Sequence, residues 1–229
     1  MTTLLFHKPY GVLSQFTAEP GSSWDTLASW IDVPDVYAAG RLDADSEGLL
    51  VLTSNGPLQQ RLTDPRWGHW RRYQVQVEGL VQAGALESLQ QGLVIQGQRT
   101  LPARARAIGP PADLPPRDPP IRHRLNVATS WLELELREGR NRQVRRMSAA
   151  VGLPTLRLRR VAIDLMDGGP ALTLAGLDPG QWRRLNGEEQ VRLDRLWRPP
   201  SAPPLQADAC SGGASEKLGC NARISRARP

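Results

Sequence analysis

The sequence predicts an α+β fold, a mostly antiparallel mixed sheet with flanking helices. Two segments, Arg72–Glu78 (RYQVQVE) and Trp131–Arg137 (WLELELR), alternate with the period of a half-buried strand. Strand-like runs also follow one another without the regular strand–helix–strand alternation that a parallel sheet needs. At 229 residues, 40% hydrophobic and 23% charged, the chain is large enough for one sizeable folded domain or two small ones.

In chain order, Thr3–His7 reads as a short apolar strand. Trp24–Ile31 (WDTLASWI) places apolar residues at i, i+3, i+4 and i+7, which predicts a helix. Tyr37–Gly40 and Gly48–Thr53 read as strands around a polar turn, Arg41–Glu47. Asn55-Gly56-Pro57 then opens a helix through Leu58–Leu62, with Pro57 at the first helical position, where its missing N–H costs nothing. On Arg72–Glu78, Tyr73, Val75 and Val77 share one face. Gln82–Gln91 is a helix ended by Gly92, and Leu93–Gln96 and Leu101–Ile108 are further strands. Gly109–Pro120 (GPPADLPPRDPP) cannot hold a regular element and reads as a loop or a link between two subdomains. After Trp131–Arg137 come a helix over Asn141–Val151, a strand over Thr155–Ile163 with arginines facing outward, and a short helix over Pro179–Leu185. Beyond Trp197 the residues are small, polar and proline-rich and cannot bury a core. The expected organisation is one domain over residues 1–197 and a disordered tail over 198–229.

Several function classes drop out early. No window approaches the roughly 18 uninterrupted apolar residues of a membrane span. The N-terminus lacks a basic segment before its short apolar run and meets Pro9 too early for a signal peptide, so a cytoplasmic location is expected. Cys210 and Cys220 both lie in the tail, which excludes a disulfide framework and a zinc cage. His7, His69 and His123 stand singly, without metal-ligand spacing, so no metal is expected. Neither GxxxxGK[ST] nor GxGxxG occurs, which leaves a nucleotide cofactor without support.

Charge points to a polyanion. The 29 basic residues face 23 acidic ones, and 27 of the 29 are arginines, whose planar fork grips phosphate and stacks on bases. The tail carries +3 of the net +6, so the body is only mildly basic overall. Within it, however, residues 137–160 hold eight arginines, Arg137, Arg140, Arg142, Arg145, Arg146, Arg157, Arg159 and Arg160, opposed by Glu138 alone. A one-signed cluster of this kind predicts a concentrated positive surface.

Two segments carry the chemistry. The turn Gly40-Arg41-Leu42-Asp43-Ala44-Asp45-Ser46-Glu47-Gly48 sets acidic residues between two apolar strands, rigidly placed yet reachable; such residues equally serve as turn or cap residues. On a helix starting near Asn141, Arg142, Arg145 and Arg146 share one face by i, i+3 and i+4 spacing, while Val144 and Met147 share another. One face can bury while the other meets phosphate or a carboxylate, although a plain solvated basic helix has the same pattern.

Together, G-R-L-D-x-x-[ST]-x-G-L-L-x-L-T and, about ninety residues later, E-G-R-x-R-Q-V-R-R-M resemble the A-type family of ribosomal pseudouridine synthases, named for the small subunit. Lys8-Pro9-Tyr10-Gly11, the Tyr73 strand and Gly152-Leu153-Pro154-Thr155-Leu156-Arg157-Leu158 extend the resemblance over residues from about 3 to 190. Within the family, the start at the first catalytic-domain strand, Tyr37-Ala38-Ala39-Gly40 and Pro119-Pro120-Ile121-Arg122 look most like the E type, which acts on 23S ribosomal RNA of the large subunit. Many relatives carry a small S4-type RNA-binding domain first; there is no room for one here, so docking is expected to fall to the catalytic domain's own arginines.

The resemblance implies a pseudouridine synthase fold with a central catalytic cleft, working as a monomer without cofactor or metal. It assigns Asp43 as the catalytic carboxylate, Arg145 as its guanidinium partner and Tyr73 as the aromatic residue that stacks on the uracil. A carboxylate beside the sugar would trap C1′ or remove a sugar proton. By spacing alone, a glycosidase-like acid/base pair of Asp43 with Asp45 or Glu47 stays open, as does RNA binding without catalysis. The candidate RNA-binding arginines are Arg41, Arg61, Arg71, Arg72, Arg140, Arg142, Arg146, Arg157, Arg159 and Arg160, with Arg66 beside them.

Overall fold

A computed structural model describes residues 1–121 and 127–197. The tail expected to be disordered, with both cysteines, lies outside the described residues, as do Arg122 and His123 just past the proline-rich connection.

The two most apolar segments pair at the centre. β1 (Thr3–Lys8) and β3 (Glu47–Thr53) are buried along their whole lengths and run antiparallel. Alternate residues feed opposite cores: Leu5, Leu49 and Val51 pack with Leu58, Leu62, Ile163 and Leu193, whereas Leu4, Phe6, Leu50 and Leu52 pack with Val12, Leu27 and Ile31. Burial on both faces explains why these strands are continuous hydrophobic runs rather than alternating ones. β2 (Tyr37–Ala38) adds to the far end of β3. α1 (Gly56–Thr63) follows directly, capped by the Asn55 side chain, which accepts the Leu58 N–H at 3.2 Å.

The half-buried strands form the other half of the sheet. β4 (Trp70–Glu78) and β8 (Thr129–Leu136) pair antiparallel in full register, and β7 (Arg104–Ile108) closes that edge. Tyr73, Val75 and Val77 are buried on the face that the alternation predicts, in a core shared with Leu134, Val144 and Met147. α2 (Ala83–Gln91), ended by Gly92, a two-stranded ribbon of β5 (Val94–Ile95) and β6 (Gln98–Arg99), and α3 (Gln143–Ala150) complete this half.

β9 (Thr155–Asp164) joins the halves. It pairs antiparallel with β4, with two register shifts, and parallel with β3 through Glu47↔Arg159 and Gly48↔Arg160. β10 (Leu172–Thr173) pairs with β9, β11 (Trp182–Arg184) flanks β1, and α4 (Gly187–Trp197) packs against α1. The main sheet thus runs β11-β1-β3-β9-β4-β8-β7, mixed but mostly antiparallel.

Two expected helices do not form, and one helix was not expected. Trp24–Ile31 holds only a 3-10 turn at Leu27–Ser29. Its backbone is taken by tertiary pairing, with Asp25 bonded to Gly11 and Leu13, while the Asp25 carboxylate takes hydrogen bonds from Thr26, Ser29 and Trp30 in competition with a helix. Pro179–Leu185 is a turn leading into β11, because the exposed edge of β1 recruits it: His7 and Gly180–Gln181 exchange backbone hydrogen bonds. The unexpected helix is α4, although Asn186 and Glu189 form a reciprocal cap that is visible as N-G-E-E.

At the seam between the halves, Gly48 adopts φ +110, and a Cβ there would stand 2.2 Å from the Arg160 carbonyl oxygen. Gly48→Ala combines a positive φ with a backbone collision, and we expect it to lower stability by about 3 kcal/mol or more. Urea denaturation monitored by circular dichroism measures this directly.

Candidate active site

The acidic turn is clamped from outside. The Ser14 hydroxyl accepts the Leu42 N–H at 3.0 Å and donates to the Leu42 carbonyl at 2.8 Å. Gly11 donates its N–H to the Ala44 carbonyl at 2.8 Å, and within the turn Ser46 donates to the Asp43 carbonyl at 3.0 Å. Lys8, fully buried, reaches the Ala44, Val12 and Pro9 carbonyls with its Nζ. Burial pushes its ammonium down to about 7, against the opposing pull of Glu47, Asp45 and Asp43. Residues on both sides of Asp43 are therefore held, while its carboxylate is left one-third exposed.

That carboxylate faces a cleft of about 650 Å³ between the turn, the start of β4 and the entry to α3. Tyr73, Leu136, Val144 and Leu158 give it an apolar side, and Arg41, Arg71, Arg140, Arg142 and Arg160 a cationic one. The volume suits a single nucleotide-sized group. Tyr73 and Asp43 line the same space, as their sequence assignment requires.

The guanidinium partner differs from the sequence assignment. Arg142, not Arg145, approaches Asp43, with Nη1 3.6 Å from Oδ2. The reason is local: α3 begins only at Gln143, and Arg142 precedes it with φ +51, so the i, i+3, i+4 face imagined for Arg142, Arg145 and Arg146 does not form. Freed from the helix, Arg142 also grips Asp45 bidentately, at 3.2 and 2.7 Å. Arg145 donates to the Asp45 carbonyl at 2.7 Å and lies 3.3 Å from its carboxylate. Arg146 bonds Gln96 and Asn141 instead. Burial alone would raise the Asp45 pKa, but the Arg142 hydrogen bond and the Arg145 charge outweigh it and hold the carboxyl below its ordinary range. Asp45 is thus saturated by arginine, whereas Asp43 meets Arg142 only at 3.6 Å and stays one-third exposed.

Residues 2–150, with both the acidic turn and α3, match the family model for RNA pseudouridylate synthase. The chain belongs to the RNA pseudouridylate synthase family. Over 180 residues it is 53% identical to ribosomal large subunit pseudouridine synthase E of Xanthomonas campestris, covering 79% of this chain and 93% of that protein. The enzyme of the same name from Vibrio parahaemolyticus is 48% identical over 182 residues, 80% of this chain and 73% of that one. A crystal structure of a pseudouridylate synthase superposes with a TM-score of 0.64 at 26% identity, covering 85% of this chain and 73% of that one.

In this synthase the arginines divide by burial. Arg157, Arg159 and Arg160 are 4%, 3% and 2% exposed, so the outward-facing row expected of β9 is a row of interior cations. Arg157 makes a bidentate pair with Glu47 at 2.8 and 2.6 Å and donates to the Pro115 carbonyl; Arg159 holds Asp113 at 2.7 Å; Arg160 donates to the Leu49 carbonyl at 2.8 Å. Arg157 and Arg159 are therefore occupied away from solvent, and only Arg160 among the three borders the cleft. Glu47 is equally committed, which removes it as an acid/base partner of Asp43. Arg72 pairs with Glu135 at 2.6 Å and Arg66 with Asp64 at 2.6 Å. Arg140 is tied to Glu138 at 3.1 Å and to the Arg99 carbonyl, and Arg71 to the Leu62 carbonyl at 2.9 Å, both at the cleft wall. Arg41 is exposed at the turn, and Arg61 stacks on Trp67.

The clamps were missed in the sequence. Lys8 carried a signal, being the only lysine in residues 1–197 of an arginine-rich chain. A position where ammonium is kept needs a compact donor to converging carbonyls rather than a planar fork. Ser14 carried none.

The Glu47–Arg157 pair is buried on both sides, with side chains 4% exposed each. Glu47→Gln leaves an uncompensated guanidinium and is expected to lower stability by about 3–5 kcal/mol. The double variant Glu47→Leu/Arg157→Met, which removes both charges, should recover much of that loss. Urea titrations of the three proteins give the comparison.

Proposed function

We propose that this synthase converts a uridine of large-subunit (23S) ribosomal RNA to pseudouridine, with Asp43 acting on a nucleotide flipped into the cleft. The observation that carries this reading is Asp43 itself. It is an under-coordinated carboxylate on a turn clamped by Lys8, Gly11 and Ser14, facing Tyr73 across one nucleotide-sized cleft. The likeness to synthases named for the large subunit, over 79% and 80% of this chain, supports the choice of RNA.

The reaction breaks N1–C1′, turns the uracil and joins C5 to C1′; the C5 proton is lost and N1 gains one, so there is no net redox change and no cofactor is called for. Asp43 serves either by adding to C1′ or by removing a sugar proton. The uracil lies against Tyr73 and the apolar side, and Arg142 steadies the carboxylate. Because C1′ is inaccessible in a stacked strand, the nucleotide has to be extruded first. The exposed cation at the mouth, Arg41, holds a flanking phosphate and makes binding salt dependent. The synthase works as a monomer where ribosomes assemble, in the cytoplasm. No described helix is long and apolar enough to cross a membrane.

Asp43→Asn is expected to abolish isomerisation while leaving fold and RNA affinity largely intact, since an amide is isosteric but neither nucleophile nor base. Incubation with unmodified large-subunit rRNA and mapping of pseudouridine tests it, and product from a preparation free of deamidated protein would overturn the assignment. Arg142→Lys keeps the charge and loses the fork that spans Asp43 and Asp45. Its single-turnover rate at saturating RNA should fall about tenfold or more, roughly 1.4 kcal/mol of barrier. A variant that only binds more weakly would return Arg142 to the role of a phosphate ligand.

A further inference from the structure

The segment that leads into the cleft wall displays an aromatic side chain that the reaction does not use. Trp67 is 47% exposed at the end of a 3-10 turn, Pro65–Trp67, between α1 and β4. The turn is fixed at both ends. The Asp64 carboxylate accepts the Arg66 N–H at 2.9 Å, and Gly68, with φ +53, returns its N–H to the Pro65 carbonyl at 3.1 Å. The Gly68 carbonyl in turn accepts Arg137 Nε at 3.1 Å, and a Cβ on Gly68 would meet the Arg137 guanidinium at 2.9 Å. So constrained a turn could bury or omit a large indole, yet it presents one to solvent.

The indole is already half of a stack. The Arg61 guanidinium carbon lies 3.1 Å from the Trp67 ring centroid, and Arg61 Nε is buried without a hydrogen bond, so stacking holds the group. Arg61 and Trp67 do not line the cleft themselves, but each is two residues from one that does, Thr63 and Pro65, so the stack sits on the segments that build the cleft wall. We propose that Arg61 and Trp67 form a stacking subsite for an unpaired RNA base adjacent to the flipped uridine. The inference rests on the RNA-modifying function proposed above and adds a second point of contact to it. Extruding one nucleotide strips its neighbour of a stacking partner. An arginine–indole pair offers that neighbour a replacement layer, with a positive charge close to its phosphate, and discriminates little among bases because each has a π-face. An aliphatic surface would give neither the charge nor the planar match.

The subsite is tested by binding, independently of turnover. Wild type, Trp67→Ala and Trp67→Phe are titrated with a short single-stranded RNA spanning the uridine mapped on large-subunit rRNA, or with a uridine-containing oligonucleotide if none is mapped. A series in which each flanking nucleotide in turn is made abasic is titrated alongside. Trp67→Ala should raise Kd by about five- to a hundred-fold on intact RNA, and Trp67→Phe should restore much of the loss. One abasic position should erase the difference between wild type and Trp67→Ala. Equal Kd values for both proteins on intact RNA, or a loss that persists at every abasic position, would overturn the subsite. Failure of wild type to form pseudouridine would instead overturn the catalytic reading, while the binding difference still decides the subsite.

Discussion

Two residues of parallel pairing hold this structure together. Glu47–Gly48 of β3 meet Arg159–Arg160 of β9, and there the half of the sheet built on β1 and β3 joins the half built on β4 and β8. So short a ladder offers little backbone energy, and side chains reinforce it. Glu47 and Arg157 pair in the interior, Arg160 donates to the Leu49 carbonyl, and Gly48 lets the strands approach more closely than any side chain permits. The acidic turn ends where this seam begins, so whatever positions the seam also positions Asp43. Arg157 and Arg159 carry the constraint further by pinning Pro115 and Asp113 of the proline-rich connection, and Arg117 of that connection lies 4.4 Å over the Tyr10 ring, beside the clamp on the turn.

Burying three arginines in one strand is costly unless each finds acceptors. Glu47, Asp113 and the Leu49 and Pro115 carbonyls supply them, and a guanidinium, with five donors in a fixed plane, can bridge several at once. This use of arginine is architectural. The arginines that line the cleft, Arg41, Arg71, Arg140, Arg142 and Arg160, are fewer than the sequence cluster promised.

The two aspartates of the turn show how neighbours acquire different chemistry. Asp45 takes the bidentate grip of Arg142 and the charge of Arg145, and so anchors the turn to the start of α3. Asp43, two residues earlier, shares only the edge of Arg142 and faces open space beside Tyr73. A structural carboxylate is passivated by full coordination, whereas a reactive one has to be placed accurately yet left incomplete. The clamps supplied by Lys8, Gly11 and Ser14 act on the backbone of the turn and so meet both conditions.

By itself the sequence determined what depends on local pattern. The strict alternation about Tyr73, Val75 and Val77 and the apolar runs of β1 and β3 specified strands, because side-chain period and burial are set residue by residue. The paired motifs specified the family and placed Asp43 on a polar turn between two strands. Tertiary structure decided what depends on partners distant in sequence. Asp25 and the Gln181 region left helical pattern for pairing because Gly11, Leu13 and His7 offered their backbones better bonds. Arg142 left its helix for a left-handed position that reaches Asp43 and Asp45, nearly a hundred residues away. Arg157 and Arg159 went inward because Glu47 and Asp113 were there to meet them. A guanidinium reads the same in sequence whether it faces water or a buried carboxylate, and only the fold brings the acceptor.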